Sequence, residues 1–557
     1  MTKLVLVLGG GASRGAYVAG AVREILLALE RNRLGRVSIS VIVGTSSGAF
    51  NAAVAARGLI VNPNLFPWLE RIWVEALDAD VLLNSQRADR TAILDGSALD
   101  ELSRALITAD PAADDGPSNL VSDPLRLGVT LSNLEGVSYR FRYGGLDAPE
   151  RFYGLRSHRD WADFELTAST AATDSVWEPI RQAALASASF PFAFPPKAWR
   201  RDRSACRRVR LQDSGSEAME MWYTDGGLFG DEPLGLARRL VERDPNHRGE
   251  DWRYIVIDPA MESPDPDEWE VGGSVPERGP RSLPAPAGLA ALLSGAMAGR
   301  GIADDWARNN DLNERVEILE AVAARLPDLG DRLRDPDAIE IGRSIGELAE
   351  RIAEAQVAAQ PDGESQKGDP VVLYLDENLK RIQADPRFHP AFEGVESRAA
   401  RTRVAKLIFA LEAAAGLKDR ERMAVHLVAP CRSGSLGGDS LGGFGAFLDP
   451  RLREGDFRAG RRDARQLLEH EFADVVAYDP EDAVAYEAPP NARVPASPDD
   501  LSPESRQALD CFVRCETDRI LAGLRPGTAG RLLSWAWKPL LRRWATRRAF
   551  ESLRAAM

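Results

Sequence analysis

Two short apolar runs near the start of the chain, each closed by glycines, restrict the fold more than any other feature. The first, "KLVLVL" from Lys3 to Leu8, ends in Gly9-Gly10-Gly11; the second, Val37 to Val43, ends in "GTSSG", Gly44 to Gly48. Runs of this length, rich in Val, Leu and Ile and stopped by glycine, read as buried strands. Between them, Ala16 to Glu30 carries Val18, Val22, Ile25, Leu26 and Leu29 on one helical face, and the small-residue stretch "NAAVAARGL" after Gly48 reads as the next helix. This β-loop-α-β unit calls for a mostly parallel sheet covered by helices. Both glycine loops then open at the carboxyl edge of the sheet, where α/β folds place their sites.

The chain has 557 residues, 44% hydrophobic and 28% charged, with a net charge of −14. That length can bury a large core, as one catalytic domain with insertions or as two domains. The acidic balance gives no general bias toward nucleic acid. Cys206, Cys431, Cys511 and Cys515 form no C-x-x-C pair, so neither a disulfide framework nor a zinc site is expected. The opening "MTKLVLVLGGG" lacks the features of a signal peptide, and no uncharged stretch approaches the ~18 residues of a membrane span. The expected compartment is the cytoplasm.

Residues from about Pro67 to Pro124 read as a helical, polar-rich insertion able to cover a site. "LRLGVTLSNLEG" (Leu125 to Gly136), "VSYRFRYGG" and "RYIVIDPA" (Arg253 to Ala260) read as further strands. Glu262 to Gly288 is a Pro-rich linker and Leu289 to Ala358 is largely helical. "AQPDGESQKGDP" is a second linker, "VVLYL" and "AVHLVAP" look like strands, and Ala488 to Ser505 is a third linker.

Ser46, central in the G-x-S-x-G of Gly44 to Gly48, is a candidate nucleophile on a strand-to-helix corner. The pattern also arises by chance in glycine-rich chains, but three further stretches accompany it. In "LGGGASRGAY" (Leu8 to Tyr17), glycines after a strand leave backbone N–H groups free for an oxyanion. Read as a dinucleotide loop this stretch fails, because Arg14 stands where the last glycine belongs, and no Lys-Ser/Thr follows as in a P-loop. "YTDGGLFGDEP" offers Asp225 before Gly226 and Gly227, which alone would be a turn. "AALASASFPFAFPP" (Ala183 to Pro196) is either core or the lining of an apolar pocket. None of the five histidines sits in a motif resembling a triad base, and "GGDSL" (Gly437 to Leu441) reads as a glycine-rich loop.

In this order and spacing the motifs resemble the patatin-like phospholipase family, over about Leu4 to Asp258. The correspondence rests on Gly10-Gly11-Ala12-Ser13-Arg14-Gly15, Gly44-Thr45-Ser46-Ser47-Gly48, Ala186-Ser187-Ala188-Ser189-Phe190-Pro191 with Phe194-Pro195-Pro196, and Asp225-Gly226-Gly227. "GGFGAFLDPRLREGDFRAGRRDARQLL" (Gly442 to Leu468) also looks like a C-terminal block of larger bacterial members. The resemblance implies a three-layer α/β/α core over 1–260, with the insertion at about 67–124. A largely helical extension with a few strands would follow over 261–487, and a linker with a terminal helix over 488–557.

It also implies a lipid acyl hydrolase of the phospholipase A or lysophospholipase type, active in lipid degradation and needing no cofactor or metal. Ser46 would attack the ester carbonyl and Asp225 would take its proton in a Ser-Asp dyad. Amides of Gly10, Gly11 and Ala12 would form the oxyanion hole, supported by Arg14, Gly44, Gly48 and Gly226. Ala12 stands where the family has a third glycine; if that position needs φ > 0, alanine costs about 1 kcal/mol or more. The alternatives are an acyltransferase of the related fold, which carries His before the elbow serine where Thr45 stands here, and a membrane-associated scaffold without turnover. Head group, acyl length, positional preference and oligomeric state are not encoded in these motifs.

"RLLSWAWKPLLRRWATRRAFESLR" (Arg531 to Arg554) reverses the local charge and carries Trp535, Trp537 and Trp544 among leucines and arginines. A basic, Trp-rich amphipathic helix suits an anionic membrane surface such as the inner membrane face. It equally suits an acidic face of the same protein.

Overall fold

The computed structural model describes residues 2–77, 79–82, 92, 94–109, 116–143, 151–191, 193–201, 212–213, 219–229, 233–247, 250–261, 305, 307–324, 326, 336–358, 369–417, 422–430, 436–477, 503 and 507. The basic segment 531–554 lies outside them.

The β-loop-α-β unit forms as its apolar pattern requires. β1 (Thr2–Leu8) leads through the glycine loop into α1 (Gly15–Asn32), then into β2 (Val37–Gly44) and α2 (Ser47–Ile60). β1 alternates cleanly: Leu4, Leu6 and Leu8 face the large cluster under α1 and α2, and Val5 and Val7 face the opposite cluster. The following strands are β3 (Val121–Tyr143), β4 (Arg151–Leu166), β5 (Lys197–Arg201), β6 (Gln212–Asp213), β7 (Met219–Thr224), β8 (Asp251–Ile257) and β9 (Ala424–Val428). Helices α3 (Trp177–Ser187) and α4 (Pro233–Val241) lie between them in sequence. The main path of the sheet runs β5-β7-β3-β2-β1-β8-β9, with β4 and β6 paired to β3. β3-β2-β1-β8-β9 is parallel throughout. Leu234, Leu236 and Leu240 of α4 cover the second face, which completes three layers.

β3 is longer than the two strands its sequence suggests. The Glu135-Gly136 pair, which looks like a turn, is a bulge: Asn133 Oδ1 accepts both of their N–H groups at 2.9 Å, Gly136 takes φ 73°, and pairing with β4 resumes at Val137. The consequence for the site is large. β3 runs alongside β2 as far as Val129, opposite Gly44, and β7 then takes over the same flank in the antiparallel sense, with Thr224 opposite Ser132. The ends of β2 and β7 therefore point at each other across a short gap.

Beyond β8 the chain builds a separate apolar cluster from residues 307–324 and from α5 (Pro336–Ala358), α6 (Pro370–Ala384) and α7 (Arg398–Ala414). "VVLYL" was expected as a strand and instead opens α6. Asp369 caps it by accepting the Val371 N–H at 2.9 Å, and Pro370 occupies the first helical position. That cap and proline start a helix whatever the β-propensity of the next five residues, and Leu375, Leu379 and Ile382 then fall on the buried face.

"AVHLVAP" does return to the main sheet as β9, and α8 (Pro450–Glu471) lies along α1. That contact depends on two glycines. A Cβ on Gly20 would lie 1.9 Å from the Phe457 carbonyl oxygen, and one on Gly460 would lie 2.0 Å from that of Tyr17. Gly460→Ala is therefore expected to force the helices apart and cost about 1–3 kcal/mol of stability, read as a lower denaturant midpoint. Gly455→Ala on the same helix, where a Cβ meets nothing within 4 Å, is the control and should be neutral or stabilising by up to about 1 kcal/mol.

Candidate active site

The gap between β2 and β7 holds Ser46 and Asp225. Ser46 follows β2 immediately and stands at φ 54°, ψ −126° as it turns into α2. Such a conformation costs a residue with a Cβ on the order of 1–3 kcal/mol and persists only where the surroundings dictate it. Here the flanking glycines permit the close packing: a Cβ on Gly44 would meet the Gly48 carbonyl oxygen at 2.5 Å, and one on Gly48 would meet the carbonyls of Leu8 and Gly9 at 2.4 Å.

Asp225 follows β7, and its Oδ2 accepts the Ser46 hydroxyl in a short hydrogen bond, while its Oδ1 accepts the Gly227 N–H at 2.9 Å. The carboxylate is almost wholly buried, at 2% exposure. Burial pushes its pKa up to about 6, against the lowering effect of the two hydrogen bonds.

The segment Ala186 to Ser189, readable from sequence as core or pocket lining, stitches the two halves together. Ser187 Oγ accepts the Ser46 N–H at 2.9 Å, the Ser187 carbonyl accepts the Gly226 N–H at 3.2 Å, and the Ser189 carbonyl accepts the Asp225 N–H at 3.0 Å. Thr45 and Thr130 bind one another through their hydroxyls at 2.8 Å, and Gly226 fits directly against Thr130.

The glycine loop closes the site from the β1 side. A Cβ on Gly10 would come within 2.8 Å of the Ser46 Cβ, so only glycine lets the loop backbone approach this closely. Gly11 has φ 152° and Ala12 φ 51°. The alanine in the third-glycine position thus does occupy the left-handed region, at a cost of about 1–2 kcal/mol. The N–H groups of Gly10, Gly11 and Ala12 have no acceptor among the described residues, which leaves three donors beside the serine. Arg14 reaches back to the Gly11 carbonyl and outward to Asp439, each at 3.5 Å.

A narrow apolar cleft opens from Ser46. Ala12, Phe50, Trp73, Phe190, Phe194 and Phe447 line it together with leucines, and no ionisable side chain among the described residues does so. Trp73 and Leu99 come from the segment after α2. Phe447 was not legible as a site residue: its stretch resembles a C-terminal block of larger family members, but nothing there points to the cleft. Among the described residues no cluster of His, Cys, Asp and Glu could hold a metal ion.

Residues 6–238 match the family model of the patatin-like phospholipases. The chain is also similar to an uncharacterized membrane protein of Mycobacterium tuberculosis, 24% identical over 385 residues, covering 60% of this chain and 34% of that protein. An uncharacterized protein of Sinorhizobium fredii is 23% identical over 350 residues, covering 46% of this chain and 49% of that protein. The chain thus spans between a third and a half of the length of these relatives. Among the described residues, no helix is long and apolar enough to cross a membrane.

Only the carboxylate form of Asp225 can take the Ser46 proton. Labelling of Ser46 by an alkyl fluorophosphonate is therefore expected to be fast above pH about 6 and to fall about tenfold per pH unit below it. A labelling rate flat through that range would mean that another group, or none, activates the serine.

Proposed function

We propose that this patatin-like domain hydrolyses carboxylic esters of lipids through Ser46 and Asp225 by way of an acyl-enzyme. The observation that carries the reading is the direct hydrogen bond from Ser46 to a buried carboxylate, beside loop amides without an acceptor among the described residues and an apolar cleft that opens at the serine.

In the first half-reaction Ser46 Oγ attacks the ester carbonyl carbon while its proton passes to Asp225 Oδ2. The carbonyl oxygen becomes an oxyanion, which the N–H groups of Gly10, Gly11 and Ala12 stabilise. Collapse breaks the bond to the leaving alcohol, which takes the proton from Asp225, and leaves the acyl group on Ser46. In the second half, water gives a proton to Asp225 and attacks the acyl carbon; the serine recovers that proton as the fatty acid leaves. A carboxyl whose pKa is pushed up to about 6 suits both halves, because it is ionised near neutrality yet basic enough to hold the proton in transit. Gly227 fixes the carboxylate's other oxygen and so keeps Oδ2 on the serine.

A preference for phospholipids or lysophospholipids over neutral lipids, and a place at an anionic inner membrane face, remain part of the proposal. The test is a panel of phospholipid, lysophospholipid and triacylglycerol substrates assayed with the full chain. Ser46→Ala and Asp225→Asn are each expected to lower turnover by at least about 10³-fold without additivity in the double variant, with the melting profile retained. Gly10→Ala should cost about 10²–10³-fold, because it moves the oxyanion donors. Substantial hydrolysis by Ser46→Ala would remove the serine from the mechanism. Acyl transfer to an added alcohol in excess of hydrolysis would favour the acyltransferase, and a fold-intact wild type that neither turns over nor labels would favour the scaffold.

A further inference from the structure

The segment from Leu436 into α8 lies outside residues 6–238, yet it is built into the cleft. We propose that Phe447 in this segment sets the length of acyl chain the cleft accepts, and that Arg453 is the residue that positions it. The proposal rests on the reading of the cleft as an acyl site.

Phe447 forms one wall of the cleft, and Trp73, from the segment after α2, forms another. Their rings stack with centroids 6.4 Å apart at 20°. Behind Phe447 stands Phe444 at 6.1 Å, itself edge-on to Phe190 at 5.4 Å. The C-terminal segment therefore joins an aromatic shell begun by the family-matched part of the chain.

Arg453 fixes the spacing of the two walls. Its side chain is fully buried. On one side it donates to the carbonyls of Trp73 at 2.5 Å and Val74 at 3.3 Å; on the other it donates to those of Ala446 at 2.9 Å and Phe447 at 3.0 Å. A guanidinium is a rigid planar fork, so donors shared between two backbone segments hold them at a set distance.

The segment is also tied to the glycine loop. Ser13 Oγ donates to the Gly443 carbonyl at 2.6 Å and accepts the Ala446 N–H at 3.3 Å. The buried Asp456 carboxylate accepts the N–H groups of Gly437 at 2.6 Å and Gly438 at 2.9 Å, which seats that turn on Arg14. Held from both ends, Phe447 has little freedom to swing aside, and a longer chain must fit the space that the ring leaves.

The test uses the full chain and saturated p-nitrophenyl esters from butyrate to palmitate. Phe447→Leu is expected to move the best substrate to longer chains and Phe447→Trp to shorter ones. The ratio of kcat/KM between neighbouring lengths should change by about fourfold per methylene gained or lost. In the Ser46→Ala background, thermal stabilisation by free saturated fatty acids of the same lengths should shift in the same directions, which reads the cleft without any turnover. Arg453→Lys keeps the charge and loses the fork, so it should broaden the length profile rather than shift it.

Profiles unchanged in both Phe447 variants would overturn the assignment while leaving ester hydrolysis standing. A wild type without esterase activity whose fatty-acid profile still shifts with Phe447 would do the reverse. Absence of any fatty-acid binding would overturn both, and an Arg453→Lys chain that is less stable but keeps the wild-type profile would remove the positioning role.

Discussion

A serine with φ 54° and ψ −126° does not stay there by preference, and much of the structure around it can be understood as the means of holding it. β2 arrives in register between β1 and β3, α2 departs at once, and the corner between them is so tight that the ends of β1 and of the G-x-S-x-G nearly touch. The Ser187 hydroxyl takes the amide that the corner leaves over. Strain of this kind needs a stiff surrounding, and a parallel sheet buried on both faces provides one. The result is a hydroxyl standing clear of its own backbone, directed at the carboxylate of Asp225.

The carboxylate reaches that place by a different route. β7 runs antiparallel to β3 on the flank that β2 vacates, so the two loops meet although 179 residues separate them in sequence. Their alignment is secured by Ala186 to Ser189, which gives a hydroxyl to the Ser46 amide and two carbonyls to the amides of Asp225 and Gly226. A single short stretch thus sets the distance between the two groups. The same burial that isolates Asp225 raises its affinity for a proton, outweighing its two hydrogen bonds. Placement and chemistry are therefore consequences of one enclosure.

The glycine loop has a third kind of support. The N–H groups of Gly10, Gly11 and Ala12 have no acceptor among the described residues, and side chains add to the backbone bonds that hold the loop: Ser13 to Gly443, and Arg14 to Gly11 and Asp439. The "GGDSL" stretch, which resembles an esterase signature out of context, is one of these braces. Its glycines bind Asp456 and press on Arg14. This explains how the loop tolerates Ala12 in the left-handed region, since the braces offset a local cost of about 1–2 kcal/mol.

By itself the sequence determined the parallel unit, the corner serine, the glycine loop and the Asp-Gly turn. Each is encoded locally, by apolar periodicity or by glycines that a close backbone approach demands. It left the phenylalanines of Ala183 to Pro196 open between core and pocket lining, and the fold places Phe190 and Phe194 on the cleft. It misjudged "VVLYL", because five β-prone residues carry less weight than the Asp369-Pro370 helix start before them. Only the tertiary structure decided that β2 and β7 meet end to end, that Ser187 serves Ser46, and that Ala424–Val428 and Leu436–Glu471 come back to the first sheet and its cleft. These contacts are made across hundreds of residues by backbone carbonyls, small side chains and the fork of Arg453. Such groups leave no periodic or compositional trace in the chain, so Phe447 and Arg453 look like ordinary residues until the fold sets them against Trp73.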